Sequence, residues 1–211
     1  ARPAVFRSST YVFSSPEAAE NAFDIMGGRA TLAPGEHPEL VYSRFNHPNA
    51  EIVEDQMVPL EQDAEEAAVF NSGMAAIMTA ILTFAKPGDK ILYTTPIYGG
   101  TQHLIEDFLV GIGIEGVPVI GGDRENWEAA IRNTENLSVI LIETPANPTL
   151  RMTDIAGTVA AAKQRPGKPP IVMVDNTFLG PVFQHPLTLG ADLALYSATK
   201  FLSGFSDLIA G

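Results

Sequence analysis

The chain has 211 residues, of which 45% are hydrophobic and 18% charged, so it is long enough to bury a substantial core. Its formal net charge of -12 disfavours nucleic acid and anionic membranes as partners. It contains no cysteine, which excludes thiolate catalysis and cysteine-bound zinc and makes a reducing cytoplasm the simplest compartment. No apolar run approaches the roughly 20 residues of a membrane-spanning helix.

The first 48 residues are predicted to form an N-terminal arm with little core of its own. Ser15 and Pro16 are typical of a helix start, and Gly27-Gly28 of its end. A second helix is predicted to begin at an Asn49 cap. Its apolar positions are spaced for one buried face: Val53, Met57 and Leu60.

From residue 67 the pattern changes to short apolar runs that alternate with amphipathic segments, which indicates βαβ units and a parallel sheet. The predicted strands are Ala67 to Phe70, Lys90 to Thr94, Gly116 to Ile120, Ser138 to Ile142, Ile171 to Asp175 and Asp192 to Tyr196. The predicted helices are Gly73 to Ala85, Thr101 to Val110, Arg124 to Asn133 and Thr153 to Gln164. We therefore predict an α/β domain over residues 49–211, with a mostly parallel central sheet in a three-layer sandwich.

Polar residues follow the ends of several predicted strands. The four groups are Asn71 to Met74, Pro145 to Pro148, Asp175 to Thr177, and Ser197 to Lys200. Because ligands bind at the carboxyl ends of parallel strands, these groups are expected to line one crevice. The four histidines show no metal-ligand spacing, so we predict no metal site.

Two charged side chains at these positions are candidates for chemistry. The amine of Lys200, if desolvated at the strand exit, can act as a nucleophile and hold a carbonyl as a Schiff base. The commoner role of such a lysine is an exposed surface position. Asp175 follows a buried apolar run and needs a partner there, which could be a metal, a ribose or a protonated ring nitrogen. A simpler role for Asp175 is to cap the next turn.

Other residues at the strand exits are suited to an anionic, aromatic ligand. Ser72 and Gly73 open a helix directly after a strand, where free N–H groups bind anions. Ser197 and Thr199 add hydroxyl donors beside Lys200, and Tyr98 could stack on a flat ring. Each of these residues also fits an ordinary cap or turn. A glycine fingerprint at residues 111–116 precedes a strand instead of following one, so a nucleotide-binding domain is the weaker hypothesis.

The order of these motifs along the chain resembles one enzyme family. The matching segments are Thr10 to Phe13, Tyr42 to Arg44, Asn71 to Ala76, Tyr98 to Thr101, Glu143 to Pro148, Val174 to Thr177, and Ser197 to Asp207. They are similar to the Cys/Met-metabolism family of pyridoxal 5'-phosphate (PLP) enzymes of fold type I, which includes cystathionine γ-synthase, cystathionine γ-lyase, methionine γ-lyase and the O-acyl-homoserine sulfhydrylases.

The resemblance implies a role for each candidate residue. Lys200 would bind PLP covalently and later move protons, Asp175 would hold the pyridine nitrogen, and Tyr98 would stack on the ring and take part in proton transfer. The remaining cofactor-binding residues would be Ser72, Gly73, Met74, Ser197 and Thr199 around the phosphate, and Asn147 and Thr177 near the ring substituents. Tyr42 and Arg44 would reach the phosphate of a neighbouring subunit, which implies a dimer or homotetramer with shared active sites and makes residues 1–48 a dimer-contact segment.

The function implied is a PLP-dependent transferase of the γ-synthase type, acting by γ-replacement or γ-elimination on small homoserine-derived or sulfur amino acids. The alternatives are a carbon–sulfur lyase, such as cystathionine or methionine γ-lyase, and a catalytically silent PLP-binding fragment. Gly100 stands where methionine γ-lyases typically carry a cysteine, which favours replacement. His47 and Phe205 also depart from the family pattern. Family members are longer and carry a C-terminal domain, so the chain is expected to be truncated after the PLP lysine.

Overall fold

The computed structural model describes residues 4–33, 36 and 38–211. The chain forms two compact units, the first from Ala1–Val58 with Glu66–Ala68 and the second from Pro59–Glu65 with Val69–Gly211. The first unit extends ten residues past the predicted boundary at residue 48, and the division into a dimer-contact segment and a cofactor domain stays a prediction. Residues 1–3, 34, 35 and 37 of the predicted arm lie outside the described residues. Within the described part, no helix has the length and apolarity to span a membrane.

Two helices make up the regular structure in the described residues of the first unit. Helix α1 spans Pro16–Met26, and the Ser15 hydroxyl accepts a hydrogen bond from the Ala18 N–H at 3.1 Å, as predicted for its cap. Helix α2 spans Pro48–Met57. Its predicted Asn49 cap is wrong. The ring nitrogen Nδ1 of His47 accepts from the Asn49 N–H at 3.1 Å, so the cap lies two residues earlier and the proline occupies the first turn.

The predicted buried face of the second helix is also wrong. No residue of α2 is buried, and Val53 and Leu60 remain 45% and 51% exposed. The apolar spacing is present in the sequence, but these side chains are exposed or only half-buried. Met57 ends the helix, and a short 3-10 turn, Val58–Leu60, follows.

The second unit contains a five-stranded sheet and five helices among its described residues. The strands are β1 (Lys90–Thr95), β2 (Glu115–Ile120), β3 (Leu137–Glu143), β4 (Ile171–Asp175) and β5 (Leu193–Leu195). The helices are α3 (Gly73–Phe84), α4 (Gly99–His103), α5 (Arg124–Asn133), α6 (Ile155–Lys163) and α7 (Gly180–Phe183). A π-helix, Leu104–Leu109, continues α4, where an uninterrupted α-helix was predicted.

All strand pairs are parallel, in the order β2-β1-β3-β4-β5. Side chains alternate between the two faces of each strand. On one face Tyr93 and Leu141 pack with Ile81 of α3, and on the other Ile140 and Val174 pack with the α5 and α6 helices. The predicted α/β fold with helices on both faces of a parallel sheet is therefore confirmed.

Two strand details differ from or extend the prediction. The strand predicted at Ala67 to Phe70 does not form. Phe70 instead exchanges one pair of backbone hydrogen bonds with Gly211, at 2.7 and 3.0 Å, which is too little for a ladder.

Strand β2, at one edge of the described sheet, contains Pro118 opposite Tyr93. A proline is tolerated there because an edge strand has no second partner that needs its N–H group.

Candidate active site

The carboxyl ends of β1, β3, β4 and β5 meet the N-terminus of α3 around a cavity of about 300 Å³. All four groups of polar residues predicted at strand exits contribute to it. The lining residues are Ser72, Gly73, Met74, Ile77, Tyr98, Glu143, Pro145, Asn147, Asp175, Thr177, Phe178, Ser197, Thr199, Lys200 and Ile209. The parallel topology thus brings together side chains that lie more than 120 positions apart in the sequence.

The N-terminus of α3 forms one end of the cavity. The Ser72 hydroxyl accepts from the Ala75 N–H at 3.1 Å and so acts as the helix cap. The N–H groups of Gly73 and Met74 have no acceptor within the helix, because the first turn lacks preceding carbonyls. A Cβ atom at Gly73 would lie 2.9 Å from the Ser197 Cβ atom. Glycine is therefore required where the helix meets the Ser197 loop.

Asp175 ends β4 and is only 9% exposed. Its Oδ1 atom accepts from the Thr177 N–H at 3.0 Å and from the Thr177 hydroxyl at 2.6 Å, so Oδ2 can accept from another group. Burial raises the pKa of Asp175, and the two Thr177 bonds oppose that rise. The Thr177 hydroxyl also accepts from the Ser197 N–H at 2.8 Å. One threonine therefore joins the loops that follow β4 and β5.

Lys200 lies in the turn after β5 and lines the same cavity. Its side chain is exposed in the described chain. The neighbouring Thr199 hydroxyl donates to the Ala210 carbonyl at 3.1 Å and accepts from the Ala210 N–H at 3.0 Å. Thr199 thereby fixes the returning segment that ends at Gly211.

Tyr98 precedes α4, and its side chain is 47% exposed at the cavity. Its ring lies close to the backbone of Gly100. A Cβ atom at Gly100 would lie 2.6 Å from Tyr98 Cε1 and 3.3 Å from the Met74 sulfur. Glycine at this position therefore allows the observed place of the ring.

Glu143 is a site residue that the sequence prediction included only as part of a motif. It ends β3, is 5% exposed and is the register partner of Asp175 on β4. Its two carboxylate oxygens accept from the Tyr98 N–H at 2.9 Å and from the Asn147 N–H at 2.6 Å. Burial raises the pKa of Glu143 to about 7, with a further rise caused by the charge of Asp175. The available signal was a carboxylate directly after a buried strand, the same signal that identified Asp175.

Tyr42 and Arg44 belong to the first unit and are not among the residues that line the cavity. Tyr42 forms an isolated antiparallel bridge with Thr10. The Arg44 guanidinium lies 5.4 Å from the centre of the Tyr42 ring and 5.1 Å from that of the Phe45 ring. These contacts hold the arginine beside two aromatic rings.

Comparison with known proteins agrees with this site. The model of the Cys/Met metabolism PLP-dependent enzyme family matches residues 1–211. The chain belongs to this family. PLP is the family's cofactor, which confirms the predicted one.

Relatives within the family include lyases. The chain is 42% identical over 177 residues to a cystathionine gamma-lyase of Bacillus subtilis, a match that covers 84% of the chain and 45% of that relative. It is 43% identical over 170 residues to the cystathionine beta-lyase MetC of the same organism, which covers 81% and 42%. The chain thus spans less than half the length of these relatives.

Solved structures of the family share the fold. The structure of metB from Corynebacterium glutamicum superimposes with a TM-score of 0.83 at 32% identity and covers 99% of the chain and 48% of that protein. A cystathione gamma lyase, CalE6, from Micromonospora echinospora gives a TM-score of 0.81 at 33% identity, with the same coverage. The family fold therefore extends over nearly the whole chain.

The cavity has the chemistry that this family's cofactor requires. Free N–H groups at the α3 N-terminus suit its phosphate, and Gly73 lets the Ser197 loop approach that end of the helix closely. At the sheet, the available Oδ2 atom of Asp175 suits a protonated ring nitrogen. An amine at Lys200 suits the aldehyde. The residues present therefore fit PLP.

Proposed function

We propose that the protein containing this chain is a PLP-dependent carbon–sulfur lyase acting on small sulfur amino acids by β- or γ-elimination. The observation that carries this proposal is the convergence of Lys200, Asp175 and the α3 N-terminus on one cavity. Relatives named as γ-lyases and a β-lyase support the lyase assignment over the γ-synthase type.

Each group at the cavity has a distinct task in this proposal. Lys200 would hold PLP through its Nζ atom and then move the proton of the substrate Cα. Asp175 would accept a hydrogen bond from the pyridine nitrogen and keep that nitrogen protonated. When bound, PLP supplies an electron sink that stabilises negative charge at Cα. The hydroxyl group of Tyr98 would donate or accept a proton beside Lys200.

The phosphate end would be held by the backbone N–H groups of Gly73 and Met74 together with the Ser197 hydroxyl. Thr199 can contribute its proton only by giving up its bond to the Ala210 carbonyl. Ser72 would act mainly through the helix cap. Asn147 and Thr177 would orient the ring edge and Asp175, respectively.

We also propose that Tyr42 and Arg44 complete the phosphate site of a neighbouring subunit. Their support is the family resemblance and the ring contacts that hold the Arg44 guanidinium. The active site would then be complete only in a dimer or tetramer.

A second candidate function is γ-replacement. Gly100 favours it, because a Cβ atom there would lie 2.6 Å from the Tyr98 ring and so the observed ring position leaves no space for the cysteine of methionine γ-lyases. The first chemical steps would be shared, and the two functions would differ in whether a nucleophile adds after the leaving group departs.

The test uses the full-length protein, saturated with PLP and then treated with borohydride. We expect a mass increase equal to one reduced PLP adduct in wild type and none in Lys200→Ala. A separate sample of the PLP-saturated protein that has not been reduced should release ammonia and a 2-oxo acid from cystathionine or methionine. Formation of a new thioether from an activated homoserine ester and a thiol would instead favour γ-replacement. Cofactor attachment without turnover of any of these substrates would support a catalytically silent PLP-binding protein, and no attachment would refute both enzymatic assignments.

A further inference from the structure

Glu143 connects two loops that the sheet alone does not join. Its own N–H donates to the hydroxyl of Thr94, a buried residue of β1, at 2.9 Å, which fixes the end of β3 against its neighbour. From there the side chain reaches the loop after β1 at Tyr98 and the loop after β3 at Asn147. One buried carboxylate thus sets the backbone at two walls of the cavity.

The two hydrogen bonds use different oxygen atoms. Oε2 accepts from Tyr98 and Oε1 accepts from Asn147. An amide of the same length has only one acceptor oxygen, so its NH₂ group would face one of these N–H donors. An aspartate keeps the charge but is one methylene shorter. It cannot maintain both bonds from the same backbone position.

The hydrogen bond from the Tyr98 N–H to Glu143 matters because the Tyr98 side chain does not cap α4 and is half exposed. On one side the Tyr98 ring lies against Gly100, where an added Cβ atom would be 2.6 Å from Tyr98 Cε1. The backbone of Tyr98 makes two described hydrogen bonds: its carbonyl accepts from the Gln102 N–H of α4 at 3.0 Å, and its N–H donates to Glu143. The bond to Glu143 ties Tyr98 to the end of β3, so its loss would allow the ring to shift at the cavity wall.

We propose that Glu143 is a positioning residue that holds Tyr98 and Asn147 in place around the bound cofactor. This inference rests on the proposed function, because it assigns Glu143 to the same PLP site. Glu143 acts through the backbone of these two residues, and its own bonds to the cofactor are not part of the proposal.

The first test needs no cofactor. In the PLP-free full-length protein, hydrogen exchange is measured at the backbone amides of Tyr98 and Asn147 by mass spectrometry with fragmentation to single residues. Glu143→Gln and Glu143→Asp should each speed exchange at one or both amides by about tenfold, since each loses a hydrogen bond to a buried carboxyl oxygen. Thr158→Val is the matched control. It removes one buried hydrogen bond, from the Thr158 hydroxyl to the Asp154 carbonyl at 2.8 Å, outside the cavity.

The second test measures PLP binding and the visible circular dichroism of bound PLP. Both Glu143 variants should weaken PLP binding by about tenfold and change the dichroism band, whereas Thr158→Val should change neither. If Glu143→Asp matches wild type and only Glu143→Gln differs, charge and not position is responsible, and the inference fails. It also fails if amide exchange is unchanged, or if exchange rises while PLP binding and the dichroism stay the same. A wild-type protein that takes up no PLP would instead overturn the proposed function.

Discussion

Gly211 and Gly73 approach each other backbone to backbone. A Cβ atom at Gly211 would lie 2.4 Å from the Gly73 Cα atom and 2.5 Å from the Ser72 carbonyl oxygen. The same residue exchanges backbone hydrogen bonds with Phe70, just before the site helix. The segment after Lys200 therefore supports the anion-binding end of the cavity.

Gly211→Ala should destabilise the full-length protein by about 1–3 kcal/mol, the usual cost of inserting a methyl group into packed atoms. The neighbours are backbone atoms and cannot move cheaply, so PLP affinity should also fall. Denaturant unfolding and PLP titration measure the two effects. Gly111→Ala is the control, because nothing lies within 4 Å of a Cβ atom there. Equal stability of the two variants would contradict the close approach.

Gly100→Ala should displace the Tyr98 ring, since the added methyl group would lie 2.6 Å from its Cε1 atom. If Tyr98 stacks on the cofactor as proposed, the displaced ring should give several-fold weaker PLP binding and a shifted visible absorbance band. The adjacent Gly99→Ala has open space around its Cβ atom and should leave both quantities unchanged. Equal changes in PLP binding and absorbance in the two variants would show that a methyl group at residue 100 does not displace the Tyr98 ring.

Thr177→Val should weaken PLP binding by about tenfold, because it removes a hydroxyl bond to the Asp175 carboxylate and an acceptor for the Ser197 N–H. Without that bond the pKa of Asp175 should rise further, which disfavours the charged form that a protonated ring nitrogen needs. Thr177→Ser retains the hydroxyl and should bind PLP as wild type does. Absorbance titration measures the PLP dissociation constants of both variants. Tight PLP binding by the valine variant would refute the role of the Thr177 hydroxyl in supporting Asp175.

The pH dependence of stability should carry a signature of Glu143. Its pKa is raised from 4.5 to about 7, so the folded state binds the proton more tightly than the unfolded state. Its contribution is therefore fully present below about pH 4.5 and is lost as pH rises to about 7, by a loss on the order of 3 kcal/mol. Asp175, the register partner of Glu143, also has a raised pKa, so its contribution to stability is likewise lost as pH rises.

The measurement compares urea unfolding of PLP-free wild type and Glu143→Gln between pH 5 and pH 8. Wild type should lose stability across this range relative to the glutamine variant, which has no proton to release at this position. Parallel stability curves for the two proteins would mean that Glu143 does not titrate there.

Arg44→Ala and Lys200→Ala should complement each other if the active site is shared. Each variant alone is expected to be nearly inactive, while mixing the two after reversible dissociation should restore part of the activity. The recovered activity arises in mixed dimers that contain one site with both native residues. Absence of recovery, in mixtures shown by mass spectrometry to contain mixed dimers, would place both residues in one subunit's site.

The sequence predicted the sheet well, because buried parallel strands are continuous apolar runs such as Ile171–Asp175, which was predicted to the residue. It failed at Ala67 to Phe70, where the apolar run makes only one exchanged pair with Gly211. A short run does not reveal whether a partner strand exists. The His47 cap was missed because histidine seldom caps a helix, whereas the nearby Asn49 is a common capping residue.

Around the site, the sequence indicated residue types but not the bonds that arrange them. Lys200 and Asp175 were found from their places after apolar runs, and the structure brings both to one cavity. The double use of the Thr177 hydroxyl depends on the spacing of β4 and β5 and could not be read from local pattern. The same holds for Glu143, whose partners lie 45 and four residues away.

The proline in β2 has a consequence for how copies of this protein can associate. Pro118 offers no N–H group, and Glu115 on the same strand is charged and exposed, with an ion pair to Lys90 at 3.0 Å. Natural proteins use such residues to prevent strands of other molecules from docking onto an open edge. The described β2 edge is therefore a poor template for intermolecular β-augmentation, which also protects it from amyloid-like growth.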